Sequence, residues 1–231
     1  MIDIYSTFAK DFIYSNNNLI SQRKGGPAFF IENVFKKNDI KYRLFTGEPI
    51  QIKIQVIEKG ESGTIESKII KKAIIENNRN DFILISTISD EWILKSDLSK
   101  EGEIFLDVQG YVRAAKEDGS IYKSILWNNI FCMKGTQQEI DLIPEDIIER
   151  QKDKLLIITN GNKGCKILFK KKERSFSPQR IIVAKDTIGA GDTFFASFMV
   201  KFMHTNDITK SGNFAVEETE KFLASKNNEQ N

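Results

Sequence analysis

The chain has 231 residues, with 34 basic and 32 acidic side chains and a net charge of +2. This near balance gives no global electrostatic case for binding nucleic acid or a membrane surface. A single histidine, His204, argues against serine–histidine catalysis and against a histidine-rich metal site. The length suits one sizeable α/β domain, which we expect to cover residues 1–231.

The chain does not begin with a basic segment followed by a long apolar one, and no apolar run approaches membrane-spanning length. The two cysteines, Cys132 and Cys165, lie in apolar runs and are predicted to be buried thiols. These features lead us to expect a protein of the reducing cytoplasm.

The first third of the chain is predicted to contain a strand at residues 2–6, a loop rich in Asn and Ser, and a helix at residues 28–37. Residues 51–57 alternate polar and apolar side chains, which is typical of a half-exposed strand. A Gly-containing turn and a second alternating stretch follow. We therefore predict a β-hairpin lid at about residues 48–75.

From residue 81 the pattern changes to short continuous apolar runs, which are typical of a buried parallel sheet covered on both faces. A further strand, a short amphipathic helix and a charged hairpin accompany these runs. The predicted fold is thus a three-layer α/β/α domain with a mostly parallel central sheet and a small β flap. The four apolar runs are residues 82–86, 104–108, 155–159 and 181–183, and the other elements are residues 129–133, 145–152 and 164–176.

Residues 186–194, Asp-Thr-Ile-Gly-Ala-Gly-Asp-Thr-Phe, are the most informative segment. They lie between an apolar run and a stretch with helical apolar spacing. Small residues allow a substrate to approach the backbone, and the free N–H groups of a first helical turn attract negative charge. A carboxylate at this point, Asp192, suits a base that takes a proton from an attacking hydroxyl. The alternative is a glycine turn with Asp192 as its N-cap, and a cap residue can also be a base.

This segment resembles the second signature of the ribokinase-like (PfkB-type) carbohydrate kinases, D-T-x-G-A-G-D-x-F, at every fixed position. The resemblance implies a ribokinase-like fold and an ATP-dependent kinase acting on a hydroxyl of a small sugar, an inositol-like polyol or a nucleoside. It implies that Asp192 is the catalytic base. It also implies that the backbone N–H groups of Gly189, Ala190 and Gly191 form the anion hole.

Residues 159–164, Thr-Asn-Gly-Asn-Lys-Gly, follow the third apolar run, and nucleotides bind at such strand ends in open α/β sheets. Placed ahead of the glycine turn, the segment resembles the T-x-G-x-x-G nucleotide segment of the family. The resemblance implies that Thr159, Gly161, Gly164 and Thr187 bind ATP. Taken alone, the segment is more typical of an ordinary turn between two strands.

Metal binding is implied at two positions. Thr136 and Glu139 resemble the N-x-x-E motif of the family with Thr in place of Asn, and this implies that Glu139 holds hydrated Mg²⁺. The same T-x-x-E pattern is also a capping box, so both interpretations stay open. The family often binds a monovalent cation such as K⁺ beside the anion hole, and Asp186 stands at a position associated with it.

The acceptor site is expected near the N-terminus. Asp11 and the pair Gly25-Gly26 resemble the first half of the family's substrate site, where a carboxylate accepts hydrogen bonds from substrate hydroxyls. The alternative for Asp11 is a surface turn residue. Residues 107–113 resemble the D-x-Q-G-x-x-R segment of inositol-kinase-like members, which implies that Gln109 or Arg113 contacts the substrate or a phosphate. An exposed strand end with a turn at Gly110 is an equal alternative.

The chain also departs from the family. It is shorter than most members and lacks the usual length and the G-x-D element between Gly26 and Gly47. A non-catalytic sugar- or nucleotide-sensing module that retains the fold therefore remains an alternative. A nucleotidyl-transferring relative is disfavoured, because there is no H-x-G-H sequence. The exposed edge of the predicted hairpin leads us to expect a homodimer.

Overall fold

The computed structural model describes residues 1–57, 60–67, 72–75, 82–94, 103–115, 127–184 and 186–228. The strands are β1 (Ile2–Ser6), β2 (Ala9–Ser15), β3 (Asn18–Gly25), β4 (Tyr42–Phe45), β5 (Ile50–Ile57), β6 (Gly60–Ile65), β7 (Ala73–Ile75), β8 (Phe82–Ser86), β9 (Trp92–Leu94), β10 (Glu103–Asp107), β11 (Ile130–Thr136), β12 (Leu155–Thr159), β13 (Cys165–Phe169) and β14 (Lys172–Phe176). The helices are α1 (Pro27–Lys37), α2 (Gln109–Ala115), α3 (Gln137–Ile140), α4 (Glu145–Lys152), α5 (Ala190–Thr205) and α6 (Ile208–Asn228).

The central sheet has eight strands in the order β14-β13-β12-β11-β10-β8-β1-β4. From β12 to β4 all neighbours pair in parallel, whereas β13 and β14 pair antiparallel at one edge. Parallel strands buried on both faces need continuous apolar side chains, as in the run Phe82–Ser86. The predicted mostly parallel sheet is therefore confirmed.

Helices cover both faces of this sheet. On one face, α1, α5 and α6 enclose a core that is rich in phenylalanine, with Phe105, Phe195 and Phe198 fully buried. On the other face, the buried side chains of α2 and α4 pack against strand residues such as Ile85 and Leu156. The layers thus form the predicted α/β/α arrangement.

Helix α1 begins where the sequence suggests. Pro27 occupies its first turn, and the preceding Gly26 has a φ of 79°, which favours glycine. The apolar side chains of Phe30, Ile31 and Val34 are buried along one stripe of the helix. The N-terminal end of α1 is thereby held close to the glycine turn before α5.

A second sheet has four strands in the order β3-β2-β5-β6. The predicted hairpin at residues 48–75 accounts for β5 and β6, while β7 pairs with β9 in a separate two-stranded sheet. Residues 58–59 and 68–71 of that prediction lie outside the described residues. The other two strands, β2 and β3, are not predicted by the sequence. The predicted Asn- and Ser-rich loop is the tight turn of the hairpin that they form, with Asn16 and Asn17 in left-handed conformations (φ 48° and 64°).

One local prediction is wrong, and one open alternative is excluded. Residues 181–184 form no strand, and Ile181 and Val183 are 65% and 85% exposed. Residues 109–115 form helix α2 rather than a strand end with a turn at Gly110. A Cβ at Gly110 would overlap the Thr87 side chain, so this glycine allows the helix to pack closely on the loop that follows β8.

The two cysteines are free and buried, as predicted. Burial raises the pKa of the Cys165 thiol to about 12, so it is an inert packing group. Within the described part of the chain, no helix combines the length and the apolar character needed to cross a membrane.

Candidate active site

The glycine turn leads directly into α5. Gly189 has a φ of 86°, and a Cβ there would overlap the Phe30 ring, so only glycine fits. The Ala190 N–H donates to Thr187 O at 3.1 Å, and the Thr193 N–H donates to Gly189 O at 2.9 Å. The N–H groups between them, those of Gly191 and of the next residue, belong to the open first turn of the helix. Of the three predicted anion-hole donors, Ala190 therefore already has an acceptor.

Asp192 lies in the first turn of α5, beside the end of β8. Its Oδ1 accepts a hydrogen bond from Ser86 Oγ at 3.2 Å. Burial and, to a smaller extent, the nearby Asp107 carboxylate raise the pKa of Asp192 to about 6, against the opposing effects of Lys134, Ser86 and Arg113. The carboxylate is thus ionised at neutral pH and close to the range in which a base works well.

Lys134 is a site residue that the sequence analysis did not identify. It lies on β11, is 4% exposed, and donates to Asp107 Oδ2 at 2.6 Å. Burial by itself would lower the pKa of Lys134, but the carboxylates of Asp107, Asp192 and Glu139 outweigh burial and raise it. Its Nζ lies 3.1 Å from the point where a Cβ at Gly191 would sit, so a fixed positive charge faces the glycine turn.

One cavity of about 280 Å³ lies between the second sheet and the glycine turn. The predicted acceptor residues Asp11, Gly26, Gln109 and Arg113 line it together with Asp192. The structure thereby brings together the sequence-predicted acceptor residues and the predicted base, although they come from distant parts of the chain.

A second cavity, of about 420 Å³, lies on the other side of the glycine turn. The predicted nucleotide residues line it: Thr159, Gly161, Gly164 and Thr187. An apolar wall completes it, and this wall includes the segment that was wrongly predicted as a strand. Its members are Ile181, Ile182, Val216 and Leu223.

The two cavities meet at a junction formed by Gln109, Lys134, Thr187 and Gly191, which line both of them. Asp192 lines the first cavity, and Thr159 and Glu139 line the second. A ligand in each cavity would therefore meet the other beside the lysine and the helix start. This geometry suits transfer of a group between two bound molecules.

Asp11 has an unusual environment for a carboxylate. It lies on β2, is 1% exposed, and its Oδ2 is buried without a hydrogen-bond donor. Burial raises its pKa to about 6, while Arg23, whose Nε is 3.9 Å away, lowers it and Asp186 raises it. A Cβ at Gly25 would overlap this carboxylate, which explains the first glycine of the Gly25-Gly26 pair. Asp11 is therefore not a surface turn residue.

Two predicted site residues have structural partners. Arg113 donates through its guanidinium to Ile88 O, which fixes it beside the first cavity. Glu139 forms the capping box of α3: its Oε2 accepts from the Thr136 N–H at 2.7 Å, and its N–H donates to Thr136 Oγ1 at 3.3 Å. The T-x-x-E motif therefore forms a capping box in the structure.

Asp186 is held by several donors. Its Oδ2 accepts from Arg23 and, at 2.9 Å, from Lys226, while its Oδ1 accepts from the Ile188 N–H at 2.9 Å. Burial would raise the pKa of Asp186, but the hydrogen bonds from Arg23, Lys226 and Ile188 lower it to about 2. Neither cation was anticipated from the sequence, because β3 and α6 are far from Asp186 along the chain.

A family model described as pfkB family carbohydrate kinase matches residues 124–218, which include Lys134, Glu139 and the glycine turn. This part of the chain, less than half of its length, thus resembles the family. The match includes Asp192 and most residues that line the second cavity, but it begins after Asp11, Gly25, Gln109 and Arg113.

Two curated relatives of this chain come from Arabidopsis thaliana. The probable fructokinase-5 is 33% identical over an alignment of 84 residues that covers 32% of this chain and 26% of the relative. The inositol 3-kinase is 23% identical over an alignment of 243 residues that covers 85% of this chain and 66% of the relative. The chain thus matches less than two thirds of the length of either relative.

The fold is that of solved ribokinase-family structures. A pyrophosphate-dependent kinase of the ribokinase family, in complex with a pyrophosphate analog and myo-inositol, superposes with a TM-score of 0.69. The match covers 97% of this chain and 95% of that one at 16% identity. The predicted ribokinase-like three-layer fold is therefore confirmed.

Proposed function

We propose that this protein transfers the terminal phosphoryl group of ATP to a hydroxyl of a small sugar, an inositol-like polyol or a nucleoside. The observation that carries the proposal is the pair of cavities that meet at Lys134 and Gly191. One cavity holds a carboxylate suited to a base, and the other is lined by the predicted nucleotide segment. Both relatives with curated names are kinases of small polyhydroxylated molecules, which agrees with this arrangement.

The acceptor is proposed to bind against the second sheet. Among the described residues, no group donates a hydrogen bond to the buried Asp11 Oδ2, and a substrate hydroxyl would supply one. An acceptor that lacks this hydroxyl would leave the carboxylate unpaired, so the contact selects polyhydroxylated molecules. The cavity of about 280 Å³ suits a monosaccharide, an inositol or a nucleoside in size.

Asp192 is proposed to accept the proton of the attacking hydroxyl. It lines the acceptor cavity, its pKa of about 6 keeps it ionised at neutral pH, and Ser86 orients one of its oxygens. Its place in the first turn of α5 puts the hydroxyl beside the N–H groups that would bind the phosphoryl group.

Charge that develops on the transferred group is proposed to be stabilised at the junction. The N–H groups of the glycine turn and the Lys134 ammonium converge there, and the lysine is fixed by its bond to Asp107. Because phosphoryl transfer depends mainly on positioning and on charge stabilisation, donors held rigidly before the reaction are what this chemistry needs.

Mg²⁺ is proposed to arrive with the nucleotide. Within the described residues there is no group of three or more His, Cys, Asp or Glu side chains that would hold a metal directly. Glu139 lines the donor cavity, and its Oε2 is already used in the capping box, so one oxygen remains for a metal-bound water. The metal would neutralise charge on the phosphate oxygens.

The apolar wall of the donor cavity supports a nucleotide as the donor, because a base can pack against Ile181 and Leu223. Inorganic pyrophosphate has no such apolar part. The structural neighbour described as pyrophosphate-dependent makes this donor a necessary comparison in any assay.

The second sheet is proposed to act as a lid. Ile52, Ile54 and Gly63 line the acceptor cavity from this sheet, so closing it would exclude water from the reaction. Its β3 strand exposes Leu19 and Ile20, which are 46% and 58% exposed. We propose that this strand contributes to a homodimer, which light scattering of the wild type and of Leu19→Asp would test.

The test is a coupled assay of product release with Mg²⁺ and either ATP or pyrophosphate. The acceptor panel contains ribose, fructose, inositols and nucleosides. Asp192→Asn is the inactive variant, and Asp146→Asn, on the exposed surface of α4, is the matched control. Acceptor-dependent ADP release that only Asp192→Asn abolishes would support the proposal. ATP binding without turnover would favour a sensing module, and turnover with pyrophosphate alone would overturn ATP as the donor.

A further inference from the structure

The ammonium group of Lys226 lies in an enclosed position beside the glycine turn. It donates to Ile188 O at 2.6 Å and to Asp186 Oδ2 at 2.9 Å. The Phe222 and Phe30 ring centroids lie 5.0 and 5.6 Å from it. The lysine side chain is only 11% exposed. A carboxylate, a carbonyl and two aromatic faces therefore surround one positive charge.

This position matters because the two oxygen atoms belong to the turn that leads into α5. Ile188 immediately precedes Gly189, and the Asp186 Oδ1 also accepts from the Ile188 N–H. The Phe30 ring packs against Gly189, where a Cβ would overlap it. The ammonium thus ties the C-terminal helix α6 to the backbone that starts the anion-binding turn.

The residues present do not fit a mobile monovalent cation at Asp186. The carboxylate already carries Lys226 and Arg23 on the same oxygen, and the neighbouring carbonyl of Ile188 is also taken by the lysine. A K⁺ ion at these oxygens would have to displace the ammonium or share the site with two positive charges, and like charges at such distances repel. The monovalent cation suggested by the family resemblance is thus replaced here by a side chain.

We propose that Lys226 is a built-in cation that holds the glycine turn in its binding conformation, so that the protein needs no monovalent metal ion. Lys226 is a positioning residue, because it acts through the turn and touches neither cavity. The geometry gives it the two roles a bound ion would have, which are neutralising Asp186 and fixing the Ile188 carbonyl. The catalytic part of this proposal rests on the proposed kinase function, whereas the ion-binding part does not.

The first test uses thermal unfolding of the wild type, Lys226→Ala and the control Lys221→Ala at constant ionic strength in KCl or tetramethylammonium chloride. Lys221 lies on the same helix with its side chain 55% exposed. The melting temperature of the wild type should be the same in the two salts, and so should that of the control. In tetramethylammonium chloride, the melting temperature of Lys226→Ala should be lower than that of the wild type. K⁺ should partly restore this melting temperature, because the alanine leaves room for an ion. A K⁺-dependent shift in the wild type would overturn the proposal.

The second test is direct. Crystals soaked in RbCl should show an anomalous peak near Asp186 and Ile188 O in Lys226→Ala but not in the wild type. An anomalous peak at this position in the wild type would contradict the proposal. The proposal would also fail if folded Lys226→Ala showed no peak and no effect of K⁺ on its melting temperature. If Lys226→Ala does not fold, the measurements on the wild type in both tests still show whether a monovalent ion binds at Asp186.

The catalytic arm compares turnover in K⁺ and in tetramethylammonium. The wild type should be equally active in both, whereas Lys226→Ala should lose about tenfold or more in kcat without K⁺, because the turn is no longer held in place. Lys226→Met, which keeps the length of the stem and blocks an ion, should be slow in both salts. If the wild type has no kinase activity, the melting and anomalous measurements remain interpretable.

Discussion

The Lys134 ammonium and the Asp107 carboxylate form a buried ion pair at 2.6 Å, at the point where the two cavities meet. Lys134 is 4% exposed and Asp107 is 1% exposed. Placing two charges inside a protein is costly, and the pair adds little net stability over apolar residues of similar size. Its position suggests that the lysine is retained for its charge at the junction.

This pair gives the first prediction. Lys134→Met should nearly abolish turnover and should destabilise the fold by about 3–5 kcal/mol, because Asp107 is left buried without its partner. Urea unfolding and the coupled assay measure the two effects. The double variant Lys134→Met/Asp107→Asn should recover much of the stability but none of the activity. Recovery of both would mean that the lysine has only a structural role.

Asp192→Asn should leave the fold intact and lower kcat by about 10²–10⁴-fold, which is the usual contribution of a general base. ATP affinity, measured by calorimetry, should not change. Asp146→Asn should behave like the wild type in both measurements. Near-normal turnover in Asp192→Asn would refute the base assignment.

The pKa of Asp192, raised to about 6, predicts a pH dependence. The base works only when ionised, so kcat/KM should be level above about pH 7 and should fall about tenfold per unit as the pH drops below 6. Asp11 has a similar pKa, so the profile of Asp11→Asn is needed. The acid limb should survive in that variant if Asp192 is responsible for it.

The same shift predicts a stability effect with a defined sign. A carboxyl whose folded pKa is raised favours folding in its protonated form, so its ionisation destabilises the fold as the pH rises through 6. Asp192→Asn should therefore unfold with a free energy higher than wild type by on the order of 1 kcal/mol at pH 8. The difference should vanish near pH 4. If the free energies of unfolding of the two proteins differed by the same amount from pH 4 to pH 8, burial would not destabilise the ionised carboxylate.

Gly25→Ala should raise the KM for the acceptor by about tenfold or more, because the new Cβ displaces the Asp11 carboxylate. The affinity for ATP should be unchanged. Gly47→Ala is the control, since a Cβ there meets nothing within 4 Å. In an Asp11→Ala background the Gly25→Ala change should add little, because both changes remove the same contact. Additive effects of the two changes on KM would show that Gly25 and Asp11 act through different contacts.

Ile181→Ser should weaken ATP binding by a few-fold, as expected for the loss of about 1 kcal/mol of apolar contact. Val183→Ser is a matched control, because Val183 is 85% exposed and is not part of the cavity wall. Neither change should alter the melting temperature. Equal effects of the two substitutions on ATP affinity would argue against the base packing on this wall.

The sequence predicted the glycine turn, the loop at residues 159–164 and most of the central sheet, because each depends on local patterns of small or apolar residues. It failed at residues 181–183, where apolar side chains serve a cavity wall at the surface rather than a buried strand. Lys134 was missed because its role depends on Asp107, a neighbour across the sheet. A lysine at the end of the run Ile130–Thr136 was the available signal, since an unpaired charge is rare there.

The second sheet was underestimated for a different reason. Asn16 and Asn17 are typical of loops, but in left-handed conformations they also form the tightest hairpin turns, and only the pairing of β2 with β3 distinguishes the two cases. Nor did the sequence indicate the cations at Asp186, because Arg23 is 163 positions away and Lys226 is 40, and only the packing of β3 and α6 brings them close.

The second sheet lines only one of the two cavities, and this has an evolutionary consequence. Asp11, Ile52, Ile54 and Gly63 face the acceptor cavity from the second sheet, whereas the described residues that line the donor cavity all come from the central domain. On the proposed function, substitutions in the second sheet would change which molecule is accepted without disturbing Lys134, the glycine turn or the wall of the second cavity. A protein built in this way could acquire a new acceptor through changes in one small sheet, while the residues at the junction stay the same.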